Sequence, residues 1–252
     1  MKESFYGQEE KLEKIRKRIK GVENRRVGSE VFDQSTLLTL YDLANRGNIW
    51  VLNGVVKTGK EANVFHGEDK NGNSIAIKIH RVTTRDYNAM LKYIDGDRRF
   101  KNFRRNKRGI INTWVRKEYK NLQRAIACNV RVPVPVAFKN NVILMEFIGE
   151  SNVPAVMLKD YVMKNPTAMF NTIKRYVKNL YCSGNLVHAD LSEYNILIWN
   201  DVPVVIDFSQ AVIREHPRSE EFFKRDITNL VRFFSKYIEL EEEKVLKSIK
   251  GC

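Results

Sequence analysis

Leu186-Val187-His188-Ala189-Asp190-Leu191-Ser192-Glu193-Tyr194-Asn195, followed closely by Val204-Val205-Ile206-Asp207-Phe208, decides how this chain is read. Together the two runs spell H-x-D-x-x-x-x-N and D-F-x, the acid-bearing loops of a phosphotransferase. An Asp on a fixed loop accepts or orients the proton of an attacking hydroxyl. An Asn five residues later turns back to a metal ion, and a second Asp beyond the next hairpin binds metal from the other side. Apolar β-rich runs flank both acids, Ile196–Trp199 and 202–206, joined by a tight Asn200-Asp201 turn. A lone H-x-D would say little; the pair with its hairpin is specific.

The upstream half supplies further parts in the order the chemistry needs. Ser74-Ile75-Ala76-Ile77-Lys78-Ile79 is a β-run with one Lys at its centre, matching the V-A-I-K strand. Before it, residues 55–65 read as strand, polar turn and strand, and Asn71-Gly72 turns the chain into the Lys strand. Glu118 lies in a helical pattern, 113–127, with Trp114, Val115, Leu122 and Ile126 available for one face. It is the natural partner for the Lys78 ammonium. Residues 142–147 form another apolar strand, leading into Met145-Glu146-Phe147-Ile148-Gly149 as a hinge.

Gly54-Val55-Val56-Lys57-Thr58-Gly59-Lys60-Glu61 nearly spells a Walker A loop. Position 61 is Glu, so the hydroxyl that would hold magnesium is missing. The following residues read as strand, whereas a Walker loop opens a helix. A phosphate-covering hairpin suits the turn better: Gly59 lets the backbone approach and Lys60 brings charge. The sequence leaves open whether Lys60 touches a phosphate.

Charge carries a second message. The 252 residues hold 44 basic and 30 acidic side chains, a formal net charge of +14, and the length suits two lobes around a real core. Arg98 to Arg108 has seven basic residues, no acidic one, and Phe100 and Phe103 interleaved. One reading is a solvated, mobile loop; the other is a phosphate-binding surface for RNA with its phenylalanines against bases. The two are compatible. Three cysteines without C-x-x-C spacing argue against a disulfide framework and for a reducing, cytoplasmic setting. No run approaches a membrane span. His66, His80 and His216 have no metal-ligand spacing, and His188 reads as a packing and hydrogen-bonding residue.

Further organisation is coarse. Residues 9–20 place Leu12, Ile15 and Ile19 on one helical face. Asp33 or Ser35 can cap a helix over 36–45 that ends at Gly47. Helices are expected from Pro166 to about Cys182, over 219–237, and over 240–250. Ser219, near the start of the next helix, comes only twelve positions after Asp207, and no A-P-E word follows. There is no room for an activation segment or a peptide-docking platform.

The words TGKEANV (58–64), LVHADLSEYN (186–195) and IDFSQ (206–210) resemble the RIO family of atypical protein kinases. HADLSEYN, with His216-Pro217 and FFKRD (222–226), is similar to its type-1 branch; the winged helix of the second branch is not found. The resemblance covers nearly everything from about residue 35. It implies an α+β, two-lobed protein-kinase-like fold with an antiparallel five-stranded N-lobe, a mainly helical C-lobe and no activation segment. The expected divisions are a helical extension (1–47), N-lobe (48–144), hinge (145–149) and C-lobe (150–252). Phe208 departs from the smaller aliphatic expected in this branch, which alters packing beneath the metal site and leaves the ligands alone.

The implied cofactors are ATP and Mg2+ or Mn2+. Lys78, oriented by Glu118, would hold the α/β-phosphates, with Thr58, Gly59 and Lys60 in the covering turn. The Glu146 carbonyl and Ile148 amide would read the adenine edge. Asn195 and Asp207 would bind metal, and Asp190 would serve as base or nucleophile-orienting group. The resemblance further implies late maturation of the small ribosomal subunit on pre-ribosomal RNA and protein, and transfer of phosphate onto Asp207 itself. Two other classes stand beside that one: a serine/threonine protein kinase with few substrates, and a nucleotide-gated RNA-binding scaffold. A small-molecule kinase of the aminoglycoside type shares the H-x-D chemistry but lacks these words.

Overall fold

The structure, a computed structural model, describes residues 32–82 and 87–252. In chain order its elements begin with α1 (Gln34–Asn45), β1 (Val51–Thr58), β2 (Ala62–Glu68), β3 (Ser74–His80), α2 (Tyr87–Ile94) and α3 (Lys107–Ala127). There follow β4 (Pro135–Lys139), β5 (Val142–Glu146), β6 (Gly149–Glu150), β7 (Val153–Pro154), β8 (Val156–Met157) and α4 (Pro166–Cys182). The chain ends with β9 (Leu186–Val187), β10 (Ile196–Trp199), β11 (Val202–Val205), β12 (Val212–Ile213), α5 (Ser219–Phe234) and α6 (Glu242–Lys250). The fold is α+β, as expected. The helix read over 9–20 lies outside the described residues.

Two compact units divide the chain. The first takes the described residues up to Tyr87, Arg104–Val115 and Pro135–Pro154; the second takes Asn88–Phe103, Arg116–Val134 and Ala155–Cys252. The first is built on a five-stranded antiparallel sheet in the order β1-β2-β3-β5-β4. Its register sets Phe65, Ile77 and Leu144 side by side, and these pack with Leu40 and Leu43 of α1 into one core. Side chains alternate across a strand, so Lys78, one position beyond Ile77, faces away from that core and lies opposite Val64 and Ile143. The Asp33 carboxylate caps α1 by accepting the Thr36 N–H at 2.7 Å, and Gly47, at φ +76°, ends it.

The second unit carries α4, α5 and α6 with two small sheets, β11-β10-β8 and β12-β9. Asn165 caps α4, whose Met169, Phe170, Ile173, Tyr176, Val177 and Leu180 recur at helical spacing and are buried. Phe170 meets Phe234 of α5, and Tyr181 meets Phe223, at ring-centre distances of 5.3 and 4.5 Å. Between Asp207 and α5 the chain makes only β12, paired with β9, so no activation segment is present.

Two expectations are corrected. Cys182 and Cys252 form a disulfide, although their spacing gave no hint of one. They stand 70 residues apart, and α6 packing along α4 brings their Cα atoms to 5.9 Å. Arg98–Arg108 is not one irregular loop. Arg98–Phe100 is a helical turn capped by Asp97, and Lys107 and Arg108 open α3. Phe100 is 1% exposed beneath the cations of Arg99, Arg116 and Lys120, so it has no face to offer a base. Helix α3 starts six residues before the expected Thr113 because the Asn106 side chain accepts the Gly109 N–H at 2.8 Å. A Cβ on Gly109 would lie 2.0 Å from the Arg104 carbonyl oxygen, so this glycine permits the first turn to form.

Candidate active site

The acid loops are built from the hairpin outward. Strands β10 and β11 pair from Ile196 opposite Val205 to Trp199 opposite Val202. Asn200 and Asp201 turn between them with φ +51° and +61°, the left-handed pair that matches strand twist. The return strand ends where the Ile206 N–H donates to the Asn195 carbonyl at 2.9 Å. Asp207 is the next residue. The hairpin therefore sets Asn195 and Asp207 beside one another.

The Asn195 amide nitrogen donates to the Asp190 carbonyl at 2.8 Å and to the Asp190 carboxylate at 3.1 Å. With that nitrogen committed, the side chain offers a cation its carbonyl oxygen. Ser209 Oγ donates to Asp207 Oδ1 at 2.6 Å, and Gln210 Nε2 donates to Asp190 Oδ2 at 3.3 Å. Carboxylate and amide oxygens are hard donors that suit Mg2+ or Mn2+. Among the described residues no group of three or more His, Cys, Asp or Glu could hold a metal alone. Such a donor set fits an ion delivered with phosphates, since Mg2+ is ordinarily held by one or two carboxylates plus substrate oxygens.

His188 lies between the loops. The Asp190 N–H donates to its Nδ1 at 3.3 Å, so the ring proton sits on Nε2, which donates to the Ile206 carbonyl at 3.0 Å. Its ring meets Phe208 edge to face at 4.7 Å, and burial pulls its pKa down to about 4. The neutral imidazole is thus a fixed brace. Phe208 is itself fully buried, filling the space beneath Asp207.

Several anchoring residues were not singled out from the sequence. Ala189 has φ +67°, uncommon outside glycine, and Asp226 of α5 accepts the N–H groups on either side of Asp190, from Ala189 and Leu191, both at 2.8 Å. Arg225 donates to the Ala189 carbonyl, and Asn229 to the Leu191 carbonyl at 3.1 Å. Burial pushes the Asp226 carboxyl up to about 7 against the opposing pull of those amides. From α3, buried Lys117 donates to the carbonyls of Ser209, at 3.0 Å, and Ala211. Asn121 donates to the carbonyls of Phe208 and Ala211 at 3.0 and 2.9 Å. FFKRD was the one signal for Asp226; nothing local pointed to Lys117 or Asn121.

The remaining expected residues fall in both units and are described where they lie. In the first, Gly59 N–H donates to the buried Asn63 side chain at 3.2 Å, and a Cβ on Gly59 would meet the Ala62 carbonyl at 2.8 Å. Thr58 and Lys60 flank it and are exposed. Lys78 is buried at the centre of β3. Glu146 ends β5, Ile148 is buried, and Gly149 at φ +151° turns the chain into the β6–β7 hairpin. In the second unit, Glu118 is buried on α3. Arg104, Arg105, Lys107 and Arg108 belong to the first unit and are exposed. No described helix is long and apolar enough to cross a membrane.

Comparison with known proteins converges on one family. The RIO domain model matches residues 63–246. The RIO-type serine/threonine-protein kinase Rio1 of Haloferax volcanii is 40% identical over 223 residues, covering 88% of this chain and 77% of that protein. Its namesake from Methanocaldococcus jannaschii is 41% identical over 245 residues, covering 97% and 83%. Among solved structures, the Rio2 kinase–ADP/Mg2+–phosphoaspartate complex of Chaetomium thermophilum aligns with a TM-score of 0.65 at 20% identity, covering 86% of this chain and 67% of that one. At that identity the likeness speaks for the fold.

Proposed function

The chain belongs to the RIO domain family, and from that premise we propose that it is an ATP-dependent serine/threonine kinase and ATPase acting in late maturation of the small ribosomal subunit. The observation that carries the reading is the hairpin that sets Asn195 beside Asp207 while the Asn195 amide grips Asp190. Asp190 takes or orients the proton of the attacking hydroxyl. Asn195 and Asp207 hold the metal, and Ser209 fixes the aim of Asp207. A bound Mg2+ or Mn2+ supplies charge neutralisation at the transferring phosphate. Lys78 and Glu118 serve the phosphates; Thr58, Gly59 and Lys60 cover them; the Glu146 carbonyl and Ile148 amide read the base.

Asp207 is also the proposed phosphate acceptor, which makes the cycle one of ATP hydrolysis through an acyl phosphate. A pre-ribosomal particle of RNA and protein is the proposed partner. The support is the net charge of +14, the exposed basic start of α3 and the missing peptide platform. A cytoplasmic location goes with that partner. The name of the relatives favours a second reading, a dedicated serine/threonine protein kinase with few substrates.

Radiolabelled ATP, with and without purified pre-small-subunit particles, separates the two. Free phosphate released in excess of phosphoprotein, stimulated by particles, supports the assembly ATPase; stoichiometric labelling of one particle protein supports the dedicated kinase. Asp190→Ala and Asp207→Ala should each lower turnover by about a thousandfold or more, several kcal/mol of barrier. Asp190→Ala should leave nucleotide affinity nearly intact. Near wild-type hydrolysis by Asp190→Ala would refute the catalytic-loop assignment. Neutralising Arg104, Arg105, Lys107 and Arg108 together should leave ATP affinity unchanged. It should flatten the salt dependence of RNA binding, by about 0.7 in log–log slope for each phosphate no longer neutralised on a single strand, or about 0.9 on a duplex. Parallel slopes with equal affinities would remove this face as an RNA-binding surface.

A further inference from the structure

Residues Phe208 to Ala211 belong to no helix or strand, yet Phe208, Ser209 and Ala211 are all buried. Buried carbonyls outside secondary structure require donors from elsewhere. Beyond the Ala211 N–H, which reaches the Phe208 carbonyl at 3.3 Å, the donors come from one face of α3: Lys117 and Asn121, four residues apart, direct their nitrogens at the carbonyls of Phe208, Ser209 and Ala211. Lys117 is wholly buried, a location that costs an ammonium group several kcal/mol unless its hydrogen bonds and neighbouring charges compensate. Asp97 and Glu118 supply favourable charge, Arg99 opposes it, and burial still draws the lysine down to about 7.

The loop so held presents its carbonyls to α3 and two side chains to the acids. Asp207 stands at φ +62°, a left-handed conformation uncommon outside glycine. Two residues on, Ser209 donates to Asp207; one further, Gln210 donates to Asp190. Any slackening of the carbonyl anchors therefore reaches both acids at once. Filling space alone would be served better by apolar residues than by a buried lysine, which is where the choice of residue becomes informative.

We propose that Lys117 and Asn121 are positioning residues that fix the peptide carbonyls of residues 208–211, and through them set the aim of Asp207 and Gln210 and hence the metal requirement of phosphoryl transfer. The inference rests on the site reading above. It assigns Lys117 a task separate from that of its neighbour Glu118, and it ties the geometry of the second acid loop to α3.

Lys117→Met keeps length and removes donation; Asn121→Leu removes the second set of bonds; Lys117→Gln restores one donor. Each is compared with wild type in ATP turnover against Mg2+ concentration, in the KM for ATP, and in amide hydrogen exchange of residues 207–212 without metal or nucleotide. Lys117→Met should raise the Mg2+ needed for half-activation about tenfold or more and lower kcat by a similar factor, with the KM for ATP changed less than about threefold. Exchange across 207–212 should accelerate about tenfold in the metal-free protein. Asn121→Leu should shift the same readouts in the same direction by about threefold to tenfold, and Lys117→Gln should recover part of the loss. A folded Lys117→Met protein with wild-type Mg2+ half-activation and wild-type exchange overturns the proposal. Should Lys117→Met fail to fold, Asn121→Leu decides on the same readouts. An inactive Asp190→Ala alongside an unaffected Lys117→Met sinks the positioning role alone; an active Asp190→Ala sinks the site reading beneath it.

Discussion

The loop carrying Asp190 and the loop carrying Asp207 are held by opposite chemistry. The first hangs chiefly from a carboxylate, Asp226 of α5, which accepts two backbone N–H groups. The second hangs from an ammonium and an amide, Lys117 and Asn121 of α3, which donate to three backbone carbonyls. Each loop has one non-glycine residue in left-handed backbone, Ala189 and Asp207. Burial drives the two anchors toward each other, Asp226 up to about 7 and Lys117 down to about 7. Backbone that leaves regular structure to present an acid exposes either its N–H or its C=O groups to the interior. The facing end of the peptide selects the sign of the anchor.

The strongest way to break this comparison is to remove the carboxylate. Asp226→Ala orphans two buried N–H groups and should cost about 3 kcal/mol in urea unfolding, with Asp226→Asn milder because one acceptor survives. An unchanged urea midpoint would mean that the Asp190 loop does not depend on α5. A smaller effect separates the side chains borne by the second loop. Ser209→Ala removes a 2.6 Å bond to a carboxylate and should lower turnover about tenfold; Gln210→Leu removes a longer one, 3.3 Å, and should lower it about threefold. The reverse ranking, measured as kcat, would show that the Asp190 contact matters more than the Asp207 contact.

The smallest effect near neutrality belongs to His188, the brace shared by both loops. Its folded pKa of about 4 lies below the ordinary 6.5, so the unfolded chain takes up the proton first. The neutral ring's contribution is complete above pH 6.5 and is lost as pH falls toward 4, up to about 3 kcal/mol. Asp226, with its raised pKa, acts with the opposite sign over much of that range, so the test is made residue by residue. In NMR titration the His188 ring signals, assigned by their loss in His188→Gln, should stay flat from pH 8 to about 5.5. A midpoint near 6.5 would show a solvated ring and no brace.

What could be read from the sequence is what acts locally. The Lys78 strand, the Asn71-Gly72 and Asn200-Asp201 turns and the 190–195–207 spacing depend on neighbours a few residues away, and the structure has those elements. The anchors were invisible because they act across the chain, Lys117 onto residues 92 and 94 positions distant and Asp226 onto residues 37 and 35 distant. Asn106, the actual cap of α3, is one more polar residue in a basic run until the Gly109 N–H is seen to meet it. Phe100 reads as a surface aromatic as long as the cations around it read as solvated, whereas three of them lie over its ring.

The Cys182–Cys252 bond has a topological consequence. It closes a covalent ring of chain that contains Asp190, Asn195, Asp207, Asp226 and all of α5. While the ring is shut, the disordered chain has fewer ways to spread, an entropic penalty on opening of about 4 kcal/mol for a circle of this size. Reduction changes no atom near the acids, yet it turns that circle into an open string.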